Sequence, residues 1–379
     1  METKLLNGNN KEAIAEASKI LQDGGLVAFP TETVYGLGAD ALNADAAAKI
    51  YAAKGRPSDN PLIVHIADTD AVEKLADLET MNRTHPDRVK KAHMLREAFW
   101  PGPLTIIFPK LAIVPDGTTG GLPTVAIRMP SHPIAQELIR TSGVSIAAPS
   151  ANTSGRPSPT TAQHVWEDMD GRIEMILDGG AVGIGIESTI VDMTGTIPTI
   201  LRPGFITKTM LSEIVGDVTI DPAIIEPDPN LRPKAPGMKY THYAPHGTLS
   251  IVEAVADESA NRASLHSGVK VSYNATEAET LRVAEKIKAL VNEKEAQGYK
   301  VAILTTKEHA SLYKNYSHVL IVGEGSKGQT ISARLYAALR ECDSEQMEYM
   351  YSEAFDQNEL GGAIMNRLLK AAGHRVITV

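Results

Sequence analysis

The sequence has a single cysteine, Cys342, among 379 residues. An internal disulfide framework and a Cys-rich zinc site are therefore excluded, and a reducing, cytoplasmic setting is expected. Aromatic residues are scarce, with 5 Phe and 2 Trp, so the cores must be mostly aliphatic. No run of about 18 apolar residues occurs, so no membrane span is expected. The opening residues, METKLLNGNNKEAIAEA, lack the apolar centre of a secretory leader. Net positive charge is also missing: the formal charge is −9 and the pI about 5.7. A chain that grips a polynucleotide over a broad surface is usually basic, so this balance argues against that role. It leaves room for a local pocket that binds one small anion.

What is present is ordinary for a globular chain, with 43% hydrophobic and 22% charged residues. The length suggests two domains. Short apolar runs at Leu26 to Phe29, Leu62 to Ile66, Leu104 to Phe108, Val125 to Arg128, Ser145 to Ala147, Ile173 to Leu177, Ser188 to Asp192 and Thr199 to Leu201 predict strands. Helical spacing is present over Lys11 to Gln22, Ala44 to Ala53, Asp70 to Leu78, His85 to Phe99 and Pro133 to Thr141. Short strand-to-strand spacing near Ile190 predicts a mixed sheet. Residues 221–245 are rich in proline and read as a linker. After it, strands at Leu249 to Val252, Val269 to Tyr273, Val301 to Thr305, Val319 to Val322 and Val376 to Val379 alternate with helices at Glu277 to Gln297, Ile331 to Glu341 and Gly361 to Ala372. That alternation predicts a small parallel, Rossmann-like domain. The expected boundaries are 1–215, a linker over 216–246, and 247–379.

Four polar clusters stand out. PTETVYGL at Pro30 to Leu37 follows a strand end, where open α/β sheets bind ligands; a capped turn is the bland alternative. KGRPSDNPL at Lys54 to Leu62 sets two cations around one glycine, able to converge on an anion or merely to offset a helix dipole. His65, inside the next strand, reads first as a satisfied core histidine. PSANTSGRPSPT at Pro149 to Thr160 offers small hydroxyls and an amide suited to phosphate and ribose, or a plain polar loop. GIESTI at Gly185 to Ile190, LRPG at Leu201 to Gly204 and Arg128 form the fourth; a buried arginine needs an anion.

Other patterns fail. Gly323 to Thr330 sits between a strand and a helix as a P-loop would, but Gln329 stands where lysine is required, which leaves a loop. Gly143 to Ala147 lacks the second glycine of a nucleophile elbow. No His pair has zinc-ligand spacing, so no protein-held metal is expected, and no carboxylate pair forms an acid–base couple. The residues alone thus predict an α/β domain with an anion-binding cleft, tethered to a Rossmann-like domain.

Taken together, the motifs resemble the Sua5 branch of the YrdC/Sua5 family of threonylcarbamoyl-AMP synthases. The resembling residues are PTETVYGLG at Pro30 to Gly38, KGRPSDNPL, FWPGPLT at Phe99 to Thr105, VAIRMP at Val125 to Pro130, APSANTSGRPSPT at Ala148 to Thr160, ESTIVD at Glu187 to Asp192, and LRPG. APGMKYTHYAP at Ala235 to Pro245 is similar to the Sua5 interdomain motif, with Ala235 where serine is usual. The resemblance covers essentially the whole chain. It implies an N-terminal YrdC-like open twisted mixed sheet with helices, plus the smaller C-terminal Rossmann-like domain.

The resemblance further implies that L-threonine, bicarbonate and ATP give threonylcarbamoyl-AMP and pyrophosphate, with ATP as substrate and Mg2+ carried mainly by the phosphates. A separate tRNA threonylcarbamoyl transferase would pass the group to adenosine 37 of tRNAs that read ANN codons; stable tRNA binding and membrane association are not implied. Lys54 and Arg56 would act on the phosphates. Thr33, His65, Arg128, Ala148 and Ser188 would surround threonine. Arg56, Asn60, Thr124, Ser150, Asn152, Ser158, Arg202, Tyr240, His242 and Tyr243 would contact ATP or the adenylate, the last three as a lid. A rival from another class is an RNA-binding or regulatory module without catalysis. A related carbamoyl-phosphate enzyme is a weaker rival, because such relatives carry Cys motifs that this chain lacks.

Overall fold

The computed structural model describes residues 1–224, 235–236, 242–254, 276–355 and 359–379. The expected strand at Val269 to Tyr273 lies outside the described residues, as does Tyr240. The chain forms two compact units: Met1–Ser154 with Ser158–Tyr240, and Gly155–Pro157 with Thr241–Val379.

In chain order unit 1 comprises β1 (Lys4–Asn7), α1 (Lys11–Gln22), β2 (Val27–Phe29), β3 (Gly36–Asp40), α2 (Ala44–Lys54), β4 (Ile63–His65), α3 (Leu78–Thr84), α4 (Pro86–Phe99) and β5 (Leu104–Pro109). It continues with α5 (Asp116–Thr119), β6 (Thr124–Arg128), α6 (Pro133–Ser142), β7 (Ile146–Ala148), α7 (Ala162–Met169), β8 (Met175–Asp178), β9 (Thr189–Asp192), β10 (Thr199–Arg202), α8 (Lys208–Val215) and β11 (Thr219–Ile220). The strands make one sheet in the order β1-β8-β2-β3-β7-β4-β6-β5-β9-β10-β11. Parallel pairs such as β4 with β6 alternate with antiparallel pairs such as β5 with β6, so the sheet is mixed.

One expected helix is corrected. Asp70 to Leu78 splits into a short 3-10 turn over Thr69–Lys74 and the start of α3. Local capping decides this. The Asp68 carboxylate accepts from the Asp70 N–H, and the Asp77 carboxylate accepts from the Thr80 N–H, so each aspartate starts its own turn.

Alternation along the strands divides the apolar residues between two faces. Val64, Ile106, Ile127, Val191 and Ile200 join one large core with residues of α2, α4 and α8. On the opposite face, Val27, Phe29, Ile146, Ala148, Met175 and Leu177 pack under α1 and α6. Beyond β7 that second face changes character. Ile63, Ile107, Ala126, Ile190 and Leu201 form a small cluster covered by Ala235, which is 0% exposed. Ala235, within the proline-rich segment, therefore lies on the half of the sheet that also carries the polar side chains described below.

Gly38 shows how closely this face is packed. A Cβ there would lie 2.7 Å from Ile146 Cγ2 and 2.8 Å from Phe29 Cε1. Gly36 and Gly38, both on β3, thus serve close packing against Phe29.

Unit 2 comprises β12 (Thr248–Glu253), α9 (Glu277–Ala296), β13 (Val301–Thr305), β14 (Val319–Ile321), α10 (Gly328–Ser344), β15 (Tyr349–Glu353), α11 (Leu360–Ala371) and β16 (Val376–Thr378). Its sheet runs β14-β13-β15-β12-β16, and every described pairing is parallel. The Thr276–Glu279 capping box fixes the start of α9, whose Val283, Ile287 and Val291 pack on the sheet. Among the described residues no helix is long and apolar enough to cross a membrane.

Replacing Gly38 with Ala should destabilise unit 1 by about 1–3 kcal/mol, because Phe29 and Ile146 must move to admit the methyl group. Urea denaturation with an unchanged m-value is the check; parental stability would mean that the face is loosely packed.

Candidate functional site

The site begins with strand register. His65 on β4 pairs with Arg128 on β6, and Arg128 pairs with Thr105 on β5. Directly paired residues project to the same face, so these three side chains form a row across the sheet. Thr105 Oγ1 lies 2.8 Å from Ser188 Oγ, just before β9. Arg202, at the end of β10, donates from Nη2 to Ser188 Oγ at 3.1 Å and from Nε to Ser188 O at 3.0 Å. Its Nη1 reaches Pro236 O at 3.5 Å. Polar groups thus follow one another across five strands, on the half-face that Ala235 touches.

Arg128 is the centre of the row and is only 4% exposed. Its Nη1 donates to Thr33 Oγ1 at 2.9 Å. Its Nη2 lies 2.6 Å from Glu32 Oε1, close enough to pair the charges but off line for a hydrogen bond. Glu32 Oε2 accepts from the Ser131 N–H at 3.1 Å, tying the first cluster to the chain beyond β6. The Thr31 hydroxyl supports the same turn, accepting from the Thr33 and Val34 N–H groups and donating to Val34 O. Backbone bonds from Ile184 to Glu32 O and from Gly185 to Thr33 O bring in the fourth cluster.

His65 is buried, with its edge against Phe29 and Nδ1 3.0 Å from Ile63 O. Burial pushes its pKa down to about 3, with Arg128 adding to the effect. The imidazole is therefore neutral near pH 7 and serves the site as a hydrogen-bonding group. Ala148, at the end of β7, pairs with Ile63 and supplies an apolar wall beside it.

A second group surrounds the end of α2, which Gly55 terminates in a left-handed conformation. Lys54 is 1% exposed, and its ammonium donates to the carbonyls of Ser150 and Asn152. It thereby holds the third cluster in shape. Arg56 Nη2 donates to the carbonyls of Asn60 and Pro61 at 3.4 and 3.3 Å. Asn60 is buried, and its Oδ1 has no hydrogen-bond partner among the described residues. Thr124 opens β6 on the same face as Ala126 and Arg128. Ser158 donates to Glu187 Oε1 at 2.6 Å, with both side chains buried.

The sequence-based selection omitted Glu32, Thr105 and Glu187 as site residues. Thr105 has a legible signal, a lone hydroxyl inside the apolar run of β5. Glu32 and Glu187 sit within clusters already singled out, but their partners appear only in three dimensions. His242 and Tyr243 belong to unit 2. Tyr243 is buried there, stacked on Tyr336 with centroids 5.1 Å apart and with the Arg367 guanidinium 6.0 Å from its ring centroid.

Comparison with known proteins agrees with this architecture. The Sua5–YciO–YrdC family, described as telomere recombination, matches residues 19–204. The family described as threonylcarbamoyl-AMP synthase, C-terminal domain, matches residues 206–373. The threonylcarbamoyl-AMP synthase of Bacillus subtilis is 46% identical over 97% of this chain and 95% of its own length. That of Pyrococcus abyssi is 41% identical over 98% of each. The crystal structure of the P. abyssi Sua5 protein complexed with L-threonine superposes with a TM-score of 0.84 at 40% identity, covering 100% of both chains. The chain belongs to the YrdC/Sua5 family.

The His65 environment makes stability depend on pH with a definite sign. The unfolded imidazole takes up a proton near pH 6.5, whereas the folded one resists protonation until about pH 3. The unfolded state therefore binds more protons across that window, and stability falls as pH drops through it. His65→Gln should lessen that fall. Denaturation at pH 7 and pH 5 is the measurement; parallel losses in both proteins would contradict a buried neutral imidazole.

Proposed function

We propose that unit 1 makes threonylcarbamoyl-AMP on the half-face described above, from L-threonine, bicarbonate and ATP. The observation that carries this placement is the buried Arg128, set in a hydrogen-bonded row and flanked by Thr33, Thr105 and the neutral His65. Such a pocket suits the carboxylate, hydroxyl and uncharged amine of a small polar amino acid. Arg128 takes the carboxylate, while His65 and Ser188 meet the hydroxyl and amino groups. Ala148 bounds the methyl group.

The chemistry then asks little of covalent catalysis. The threonine amine, as the free base, adds to CO2 with loss of a proton, or condenses with bicarbonate with loss of water, giving a carbamate. A carbamate oxygen attacks the α-phosphorus, the new P–O bond forms, and the bond to the pyrophosphate leaving group breaks. Charge on the phosphorus oxygens has to be stabilised by fixed donors and cations. Arg56 and Arg202 are the cations assigned to this role. Asn60, Thr124, Ser150, Asn152 and Ser158 supply neutral donors and acceptors to the nucleotide. Lys54 acts through the loop it holds.

Among the described residues no group of three or more His, Cys, Asp or Glu is placed to hold a metal ion. Mg2+ carried by the phosphates would screen their charge. The product passes to a separate tRNA threonylcarbamoyl transferase for adenosine 37. A net charge of −9 suits release of a small product better than a stable grip on tRNA. The cytoplasm is the setting. The single thiol fits it: Cys342 is buried, and burial pushes its pKa up to about 12, leaving it inert.

Two measurements test this reading. Pyrophosphate release should require L-threonine and bicarbonate together, with a threonylcarbamoyl-adenylate mass in the rapidly quenched product. ATP left untouched under every combination would overturn the reading. Arg128→Gln removes one member of a buried charged set, a loss of roughly 2–5 kcal/mol. It should lower kcat/KM for threonine by about 30-fold or more while changing the KM for ATP little; an equal effect on both substrates would move the carboxylate site elsewhere.

A further inference from the structure

Unit 2 holds a cavity of about 850 Å³ that none of the chemistry above uses. It opens where β12, β13 and β15 end and where α9, α10 and α11 begin. From β12 the chain builds β13 and β14 on one side, returns through β15, and finishes with β16 on the other side. Open α/β sheets bind ligands in the crevice that such a reversal leaves at the carboxyl ends of the strands. The volume is in the usual range for small-molecule sites, roughly 300–1,000 Å³.

The lining has three chemically distinct parts. Val252, Val283, Ile331, Phe355 and Ile364 supply an apolar floor. Glu353 is saturated: Oε1 accepts from the Thr305 and Tyr313 hydroxyls at 2.9 and 2.8 Å, and Oε2 lies 2.8 Å from His309 Nδ1. This bond orients the His309 ring, raises its pKa, and leaves Nε2 as the other polar atom of the ring. Glu253 is the opposite case. Its carboxyl lines the cavity and has no hydrogen-bond or ion-pair partner among the described residues, while burial pushes its pKa up to about 7. Such a group lacks donors, and hydroxyls would supply them. Finally, α10 runs for 17 residues and has no side-chain cap at its N-terminus; in the loop before it the Gly325 N–H already donates to Glu308 Oε2 at 2.8 Å, so only the helix's own first turn is offered to a ligand. The open first turn of a long helix attracts a phosphate.

We propose that this cavity binds a nucleoside monophosphate. Glu253 accepts the ribose hydroxyls, the first turn of α10 and His309 hold the phosphate, and the apolar floor receives the base. A bare anion would leave the floor and Glu253 unused. A simple amine would leave the helix terminus unused. A triphosphate is disfavoured, because Gln329 stands where a P-loop would place its lysine.

The full chain, probed with 5′-AMP by amide hydrogen exchange, tests the proposal. Unit 1 also handles adenylates in our reading, so localisation of the protection is the deciding observation. AMP should slow exchange over residues 323–331 and 350–355. Glu253→Gln should weaken that protection by about 10- to 100-fold in AMP concentration, while pyrophosphate release with threonine and bicarbonate stays at the parental level. On the parent chain, 2′,3′-dideoxy-AMP should be weakened by a similar factor, which needs no variant to fold, and Glu253→Gln should add nothing further to that loss. Protection confined to unit 1 would overturn the proposal. So would equal protection by inorganic phosphate, or a dideoxy ligand that binds as well as AMP.

Discussion

A guanidinium buried to 4% exposure in the middle of a β-sheet must be neutralised within a few ångströms, because desolvating an ion costs several kcal/mol. Arg128 meets that demand by drawing Glu32 and Thr33 from the turn after β2, on a different part of the sheet. Glu32 then fixes Ser131 beyond β6, and the carbonyls of Glu32 and Thr33 fix the loop that carries Glu187 and Ser188. One charge therefore sets the mutual positions of the first cluster, the chain beyond β6 and the fourth cluster, which are far apart in sequence. Glu32 leaves the guanidinium one-sided. It satisfies one edge, and the Nε of Arg128 has no hydrogen-bond partner among the described residues. The pair is thus suited to accept a second anion, which a fully enclosed ion pair would not do.

The same constraint explains what could be seen in the sequence. Strands such as β5 and β6 were legible because burial on both faces makes them continuous aliphatic runs. The clusters were legible because they gather Gly, Pro, Ser, Thr and charges at strand ends. The row from His65 to Arg202 was not legible, since it exists only through register: one residue of slippage between β5 and β6 would send Thr105 to the opposite face. β15 was missed for a related reason. Its sequence, YMYSE, has polar residues where a central parallel strand is usually aliphatic. Ser352 and Glu353 are tolerated because each finds partners, Glu353 through Thr305, Tyr313 and His309. β3 was hidden by Gly36 and Gly38, which weaken a strand by pattern yet fit the close approach of Phe29.

The two units handle buried polarity differently, and each solution follows from its sheet. In the mixed sheet of unit 1, short loops and antiparallel pairs leave half of one face without helical cover, so polar side chains are carried on the face itself. In the parallel sheet of unit 2, every crossover returns over the faces, and the strand ends are where polar groups meet open space. Glu253 and Glu353 each close their strand, β12 and β15. The arrangement of polar side chains thus arises from strand register in one unit and from chain reversal in the other.

The choice of cation within unit 1 carries a last physical distinction. Arg128 and Arg202 sit where planar, directional donors meet hydroxyls and carbonyls on a flat face, a task for a rigid fork. Lys54 sits where backbone carbonyls converge on one point, much as they would on a bound ion. A compact ammonium with three donors fits that convergence, whereas a guanidinium would force Ser150 and Asn152 apart. The two cations that seem interchangeable by charge in the sequence therefore do different work. The arginines fork onto hydroxyls and carbonyls of the sheet face, while the lysine is spent on shaping the loop of Ser150 and Asn152.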